Sequence, residues 1–161
     1  MGSGKTTVGE IAARRTGWPH LDSDVEVEQA TGMSVKEIFE LRGEQAFRSE
    51  ERKALTLALS FEPAVVSVAG GAVLDPANRE VIRGAGTVVW LRATVETLAK
   101  RVGDGHGRPL LGSDPEGSLR RLDAVRRPLY QQVATTVVDV DQRSAAEVAQ
   151  AALCAMEEPS S

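Results

Sequence analysis

The chain has 161 residues, of which 42% are hydrophobic and 26% are charged, which is typical of one soluble globular domain and excludes the disordered and fibrous classes. Its net charge of −4 argues against a general nucleic-acid-binding protein, because such proteins carry a basic surplus that displaces counterions. We find no apolar stretch long enough to span a bilayer and no secretory signal, so we expect a cytoplasmic protein without membrane contact. The only cysteine, Cys154, cannot form an internal disulfide and is expected in the core.

Segments rich in β-branched residues alternate with segments of helical period, which predicts an α/β protein whose parallel sheet is covered by helices. The predicted helices cover residues 5–15, 34–43, 44–60, 75–82, 94–102, 118–134 and 144–156, and the predicted strands cover residues 20–21, 64–69, 87–91 and 136–140. Gly17 is expected to end the first helix and Gly43 the second. We predict a single domain over residues 1–161, with a frayed tail at about 157–161.

The opening residues, MGSGKTT, contain the end of a phosphate-binding loop. Gly4, Lys5 and Thr6 supply the last three positions of the pattern G-x-x-x-x-G-K-[ST]. In this pattern backbone amides surround the phosphates, the lysine neutralises the β and γ oxygens, and the hydroxyl binds Mg²⁺. The residues lead directly into a predicted helix, as phosphate binding at a helix N-terminus requires. The alternative interpretation is a chance turn.

A loop of this kind normally follows a buried strand, whereas the first glycine of the pattern would here fall two residues before Met1. We therefore expect Met1 to be an internal residue of the natural protein. About ten preceding residues would form a β-branched strand that ends in glycine and one further residue. The alternative is a chain whose loop and central strand have been lost in part.

An acidic pair, Asp22 and Asp24, follows the short strand at His20 and Leu21. A spacing of two places both carboxylates on the same side of an extended chain. Because ligands of open α/β sheets bind at the carboxyl ends of strands, one carboxylate is expected to serve a metal and the other an acceptor hydroxyl. The competing interpretation makes Asp24 the N-cap of a following helix.

Two helices carry arginines that could bind an anion. Arg48 has Glu51 one turn later, which on its own favours a surface ion pair. Arg126 and Arg127 precede Pro128, and a proline inside a helical pattern predicts a kink or break that aims one arginine inward. Two arginines that converge on one carboxylate contribute about 1.5 to 3 kcal/mol for each charge-assisted hydrogen bond.

The segment VGDGHGRPLLG carries Arg108 among several glycines. Such a loop can close over a bound nucleotide, exclude water and bring a cation to the transferring phosphate. A disordered surface loop is the alternative. His106 and His20 have no partners at metal-ligand spacing, so neither is assigned a catalytic role.

The motifs GSGKTTVG, LDSDVEVE, TGMSVKEIFELRGEQAFRSEE, AGGAV, GRPLL, RRPLY and VDVDQR occur in an order and at spacings that resemble the shikimate kinase family over almost the whole chain. The resemblance implies a P-loop kinase with a three-layer αβα fold, a five-stranded parallel sheet whose first, central strand is missing here, and a mobile lid at about 103–114. It also implies a monomer that transfers the γ-phosphoryl group of MgATP to a hydroxyl of shikimate.

The resemblance also implies residue roles. Lys5, Asp24 and Arg108 would be catalytic, with Asp24 as the base, and Thr6 and Asp22 would serve Mg²⁺. Shikimate would contact Asp24, Arg48, Gly70, Gly71 and Arg126, with Phe39, Phe47 and Glu51 in the walls of the pocket. ATP would contact Gly2, Ser3, Gly4, Lys5, Thr6, Thr7, Arg101, Arg108 and Arg143.

One departure from the family pattern is Ala69, which stands where a first of three glycines is usual and makes the backbone less permissive. Two other functions remain open at this point. One is a sister P-loop kinase that acts on another small hydroxy acid such as gluconate, or on a nucleotide. The other is a non-catalytic nucleotide-binding chain.

Overall fold

The computed structural model describes residues 2–103, 111 and 114–157. Arg108, most of the expected lid and most of the expected tail therefore lie outside the described residues. The elements in chain order are α1 (Lys5–Thr16), β1 (His20–Asp22), α2 (Ser23–Thr31), α3 (Val35–Leu59), β2 (Val65–Ser67), a 3₁₀ turn (Ala72–Leu74), α4 (Pro76–Gly84), β3 (Val89–Arg92), α5 (Val95–Val102), α6 (Pro115–Val133), β4 (Thr136–Asp139) and α7 (Ala145–Glu157).

Capping residues that can be identified in the sequence determine where several helices begin and end. Gly17 ends α1 in a left-handed conformation, φ 75°, with its N–H donating to the carbonyl of Ala13. Ser34 and Glu37 form a reciprocal capping box at the start of α3. Gly43, φ 81°, breaks the helical geometry inside α3, which confirms the predicted boundary between two helical pieces.

Two expectations about side chains and helices were wrong. Pro128 lies inside α6, which continues to Val133, so the proline does not break the helix, although Arg126 is buried in line with the expected inward arginine. Cys154 is exposed and not part of the core, since the buried face of α7 is formed by other residues, including Val148 and Ala149.

Four parallel strands form two separate pairs in the described part of the chain. β1 pairs with β2, so that Asp22 lies opposite Ser67, and β3 pairs with β4. Two helices connect the strands of each pair, α2 and α3 between β1 and β2 and α5 and α6 between β3 and β4, because parallel strands need a crossover connection. The predicted α/β class with a parallel sheet and surrounding helices is confirmed.

Apolar side chains pack in three clusters. One joins Val8 of α1 to β4 and α7, the second joins α3, the 3₁₀ turn, α4 and α6 around Leu55, and the third joins α2 to α3 around Ile38. Leu55 and Ile38 are fully buried. These clusters hold the strand ends and the starts of α1 and α2 in fixed positions. In the described ranges, no helix combines the length and apolarity needed to cross a bilayer.

A cavity of about 770 Å³ lies between the two strand pairs. Its walls include residues 65–69, which contain β2, and residues 87–91, which contain most of β3, and the cavity reaches Gly2 and Lys5 at the start of α1. None of the described residues forms a strand between β2 and β3. The facing edges of both pairs therefore have backbone groups available for a further strand.

We predict that a strand joined ahead of residue 1 stabilises the fold through this cavity. An extension of about seven β-branched residues that ends in glycine and one further residue should raise the Tm by about 10 °C, because burying each apolar side chain contributes about 1.5 to 3 kcal/mol. A Gly/Ser extension of equal length is the control, and circular dichroism gives the Tm. Equal Tm values for the two extended chains would contradict the prediction.

Candidate active site

The start of α1 is built to receive an anion. Gly4 is the N-cap in a left-handed conformation, φ 87°, and no side chain caps the helix. No acidic residue occupies the first turn. The first amides of a helix lack intrahelical partners and carry partial positive charge, so these donors are available to phosphate oxygens.

Lys5, Thr6 and the acidic pair meet at one place. The ammonium of Lys5 donates to Oδ2 of Asp22 at 3.0 Å and lies 3.8 Å from Oδ2 of Asp24. The hydroxyl of Thr6 donates to the same Asp22 oxygen at 2.8 Å. β1 ends at Asp22, beside the first turn of α1, and this position brings the carboxylate to the loop.

The pKa values of Asp22 and Asp24 shift in opposite directions. Burial works to raise the pKa of Asp22, but the hydrogen bonds from Thr6 and Lys5 and the lysine charge outweigh it and lower that pKa. Burial raises the pKa of Asp24; the charge of Lys5 offsets this in part, while the charges of Asp22 and Glu28 add to it. Asp22 is therefore held as an anion, whereas Asp24 has a greater affinity for a proton.

The expectation that both carboxylates share one side of an extended chain was wrong, as was the alternative N-cap. Helix α2 begins at Ser23, so Asp24 lies in its first turn. The N-cap is Asp22, whose Oδ1 accepts from the amide of Asp24 at 3.1 Å. Both carboxylates nevertheless reach Lys5, because the chain turns between them.

Arg48 forms an ion pair that is not a surface pair. Its Nη1 donates to Oε2 of Glu51 at 2.7 Å, and the Glu51 side chain is only 1% exposed. Burial raises the pKa of Glu51; Arg48 lowers it in part, and Asp24 raises it further. The charge of Asp24 thus acts on the carboxylate to which Arg48 donates.

Arg126 approaches Arg48 across the two glycines that follow β2. A Cβ atom built on Gly71 would lie 2.9 Å from Nη1 of Arg48 and 3.5 Å from Nη2 of Arg126. Both guanidinium groups therefore converge on one side of Gly71. Arg126 is buried, and its Nε has no hydrogen-bond partner among the described residues. The arrangement can bind a small carboxylate with two arginines.

A second cavity of about 170 Å³ also adjoins the loop, and Arg101 and Arg143 both line it. Arg101 donates to the carbonyls of Gly2 and Ser3 at 3.3 and 3.4 Å and to Val140 at 3.2 Å, which ties α5 to the loop. The larger cavity is lined by Thr7 and the rest of the loop, and also by Asp24, Gly70 and Arg126. Both cavities therefore border the phosphate loop.

No group of three or more His, Cys, Asp or Glu side chains forms a metal cluster within residues 2–103, 111 and 114–157. Thr6 and Asp22 nevertheless offer one hydroxyl and one ionised carboxylate at 2.8 Å. This donor set fits Mg²⁺, which is usually held by one or two carboxylates together with substrate phosphates and water.

The family model described as shikimate kinase matches residues 1–157. The chain belongs to the shikimate kinase family. Among curated relatives, the shikimate kinase of Symbiobacterium thermophilum is 46% identical, with 92% of this chain and 87% of that protein covered. The Streptomyces coelicolor shikimate kinase is 43% identical, with coverages of 98% and 91%.

Solved structures agree with this family. A shikimate kinase from Acinetobacter baumannii in complex with shikimate has a TM-score of 0.91 and 40% identity, with 95% of this chain and 86% of that chain covered. The shikimate kinase from Aquifex aeolicus has a TM-score of 0.85 and 32% identity, with coverages of 98% and 92%. The P-loop αβα kinase fold expected for the shikimate kinase family is confirmed.

Ala69 departs from the glycine that the shikimate kinase pattern led us to expect. Among the described non-glycine residues only Gln142 has a positive φ, so Ala69 adopts a conformation that any residue tolerates. Its amide donates to Oγ of the fully buried Ser23 at 2.9 Å. The departure does not strain the backbone.

A series of contacts beneath the phosphate loop was not predicted from the sequence. His20 Nε2 lies 2.8 Å from Oγ of Ser67, and that hydroxyl donates to the carbonyl of Lys5 at 3.1 Å. In the sequence, the sign of this contact is Gly9, a residue without a side chain inside α1.

We predict that Gly9→Ala destabilises the protein although alanine favours helices. The new Cβ would lie 2.6 Å from both His20 Nε2 and Ser67 Oγ, and overpacking of this kind costs about 1 to 3 kcal/mol. Gly84→Ala is the matched control, because nothing lies within 4 Å of its Cβ position and a gain of about 0.4 to 1 kcal/mol is expected. Thermal unfolding of both variants checks this, and a Gly9→Ala Tm at or above that of Gly84→Ala would refute it.

Proposed function

We propose that the chain is an ATP-dependent kinase that transfers the γ-phosphoryl group of ATP to the 3-hydroxyl of shikimate, giving shikimate 3-phosphate and ADP. The observation that carries this proposal is that Lys5 of the phosphate loop lies 3.8 Å from Asp24, while Arg48 and Arg126 converge beside Gly71. A phosphate site and a carboxylate site with one proton acceptor between them match a kinase of a small hydroxy acid.

The acid is held, in this proposal, by Arg48 and Arg126, with the backbone of Gly70 and Gly71 against its ring. A Cβ on Gly70 would lie 2.8 Å from the Tyr130 hydroxyl, and one on Gly71 would lie 2.9 Å from Arg48, so a side chain at either position would occupy the space. Two guanidinium groups that converge beside Gly71 suit a carboxylate, because it can accept charge-assisted hydrogen bonds from both.

Asp24 accepts the proton of the acceptor hydroxyl as the γ-phosphoryl group transfers. Its raised pKa and its contact with Lys5 at 3.8 Å support this role, because a base must be close to both the hydroxyl and the phosphate. A positioned base adds about 10² to 10⁴ in rate. The remaining stabilisation comes from positioning and from neutralised charge.

The nucleotide is held by the amides of the loop, including Gly2, Ser3, Gly4 and Thr7, and by Lys5 on its β and γ phosphates. Arg101 and Arg143 flank the adenine in the smaller cavity, a role supported by their place in its wall. Thr6 and Asp22 hold Mg²⁺, which when bound neutralises charge on the phosphates. Arg108 supplies a lid cation; it lies outside the described residues.

We further propose one domain over 1–161 with a lid at 103–114 and a frayed tail at 157–161. The protein acts as a cytoplasmic monomer on the route to chorismate and the aromatic amino acids. Its single, exposed cysteine supports a reducing compartment, since it leaves no internal disulfide to protect.

We predict that Asp24→Asn reduces shikimate turnover at least about 100-fold while the affinity for ATP is retained, since the base is lost but the loop is not. A coupled ADP-release assay with shikimate, gluconate and AMP as alternative acceptors measures turnover. Asp139→Asn is the control, because Asp139 forms an exposed ion pair with Arg92. Faster turnover of gluconate or AMP than of shikimate by the unmodified chain would overturn the proposed function. Normal turnover in Asp24→Asn would overturn the role of Asp24.

A second prediction concerns Gly71→Ala. The backbone accepts alanine, since φ is −83°, but the Cβ would meet the guanidinium ends of Arg48 and Arg126 and displace them. We expect the KM for shikimate to rise about tenfold, because the loss of one hydrogen bond to a charged group weakens binding by about that factor. The Tm and the KM for ATP should stay nearly unchanged. An unchanged KM for shikimate would show that the acid does not bind there. Gly84→Ala serves again as the control.

A further inference from the structure

Tyr130 contacts the glycine segment next to Arg126. Its hydroxyl donates to the carbonyl of Gly70 at 2.9 Å. A Cβ on Gly70 would lie 2.8 Å from this hydroxyl and 3.5 Å from Nη1 of Arg126. The phenol and the guanidinium therefore approach Gly70 together, from adjacent turns of α6.

The hydroxyl of Tyr130 is kept as a donor. Burial raises its pKa, and the nearby charge of Arg126 lowers it only in part. A phenol whose pKa is raised stays protonated at neutral pH and can donate to Gly70.

The ring of Tyr130 is fixed from its far side. It packs against Trp90 of β3 with 5.7 Å between ring centroids. Arg127 lies over the same Trp90 ring at 5.6 Å, and Asp123 holds Arg127 with hydrogen bonds of 2.8 and 3.2 Å. This chain of contacts leaves the hydroxyl little freedom to leave Gly70.

We propose that Tyr130 is a positioning residue that holds the Gly70–Gly71 segment at a fixed distance from Arg48 and Arg126, and so sets the affinity for the substrate acid. This inference rests on the proposed function, because it assumes that the acid binds at these arginines. Without the hydroxyl, the Gly70 carbonyl loses its partner and the segment can move toward or away from Arg126. Nothing in this role touches the nucleotide.

The test is Tyr130→Phe, which keeps the ring and its contact with Trp90. Titration calorimetry should show the Kd for shikimate rising about tenfold, with the Kd for ATP changing less than twofold. In the assay the KM for shikimate should rise equally while kcat changes little. Val138→Ala, at a buried position of β4 in a different apolar cluster, is the control for lost stability alone and should change neither Kd.

The second measurement asks whether Tyr130 acts through the anion site. In the Arg126→Lys background, Tyr130→Phe should weaken shikimate binding less than about threefold. An unchanged Kd for shikimate in Tyr130→Phe, equal weakening of both ligands, or full additivity with Arg126→Lys would each overturn the inference. If the unmodified chain binds shikimate without phosphorylating it, the proposed function fails, and the two Kd values still decide the role of Tyr130.

Discussion

The ion pair between Lys5 and Asp22 joins the first turn of α1 to the end of β1, and the rest of the site depends on it. Asp22 accepts from Lys5, from Thr6 and from the amide of Asp24. A buried carboxylate is tolerated only where such donors satisfy it, so each donor must stay in its place. The phosphate loop, the strand end and the first turn of α2 therefore keep one relative geometry.

Two serine hydroxyls extend this geometry from β1 to the segment after β2. Ser67 donates to the carbonyl of Lys5, and Ser23 accepts from the amide of Ala69, the residue before the glycine pair. Both serines are buried, and buried hydroxyls without partners would be costly. The glycine segment is thus fixed relative to the loop before any ligand binds, which is the preorganisation that phosphoryl transfer needs.

The sequence predicts those features that depend on a few neighbouring residues. The ends of α1 and α3 follow from Gly17 and Ser34, because helix caps are local chemistry. Residue identities alone favoured a surface pair for Arg48, and only the family resemblance pointed to a ligand. The burial of Glu51 and the contact between His20 and Ser67 arise from elements far apart in the chain, which no local spacing can encode. The extent of α6 past Pro128 depends on tertiary packing in the same way.

The balance of buried charge decides what the anion site can hold. One oxygen of Glu51 is bonded to Arg48, and the other has no partner in the described part of the chain. Removing Arg48 would leave this carboxylate without its ion-pair partner at a cost of about 3 to 5 kcal/mol, so Arg48 supports the fold. Arg126 is buried too, and its charge also lowers the pKa of Glu51 in part. Both guanidinium groups lie beside Gly71, where an anion can accept hydrogen bonds from the two of them, which favours a small carboxylic acid over a neutral polyol.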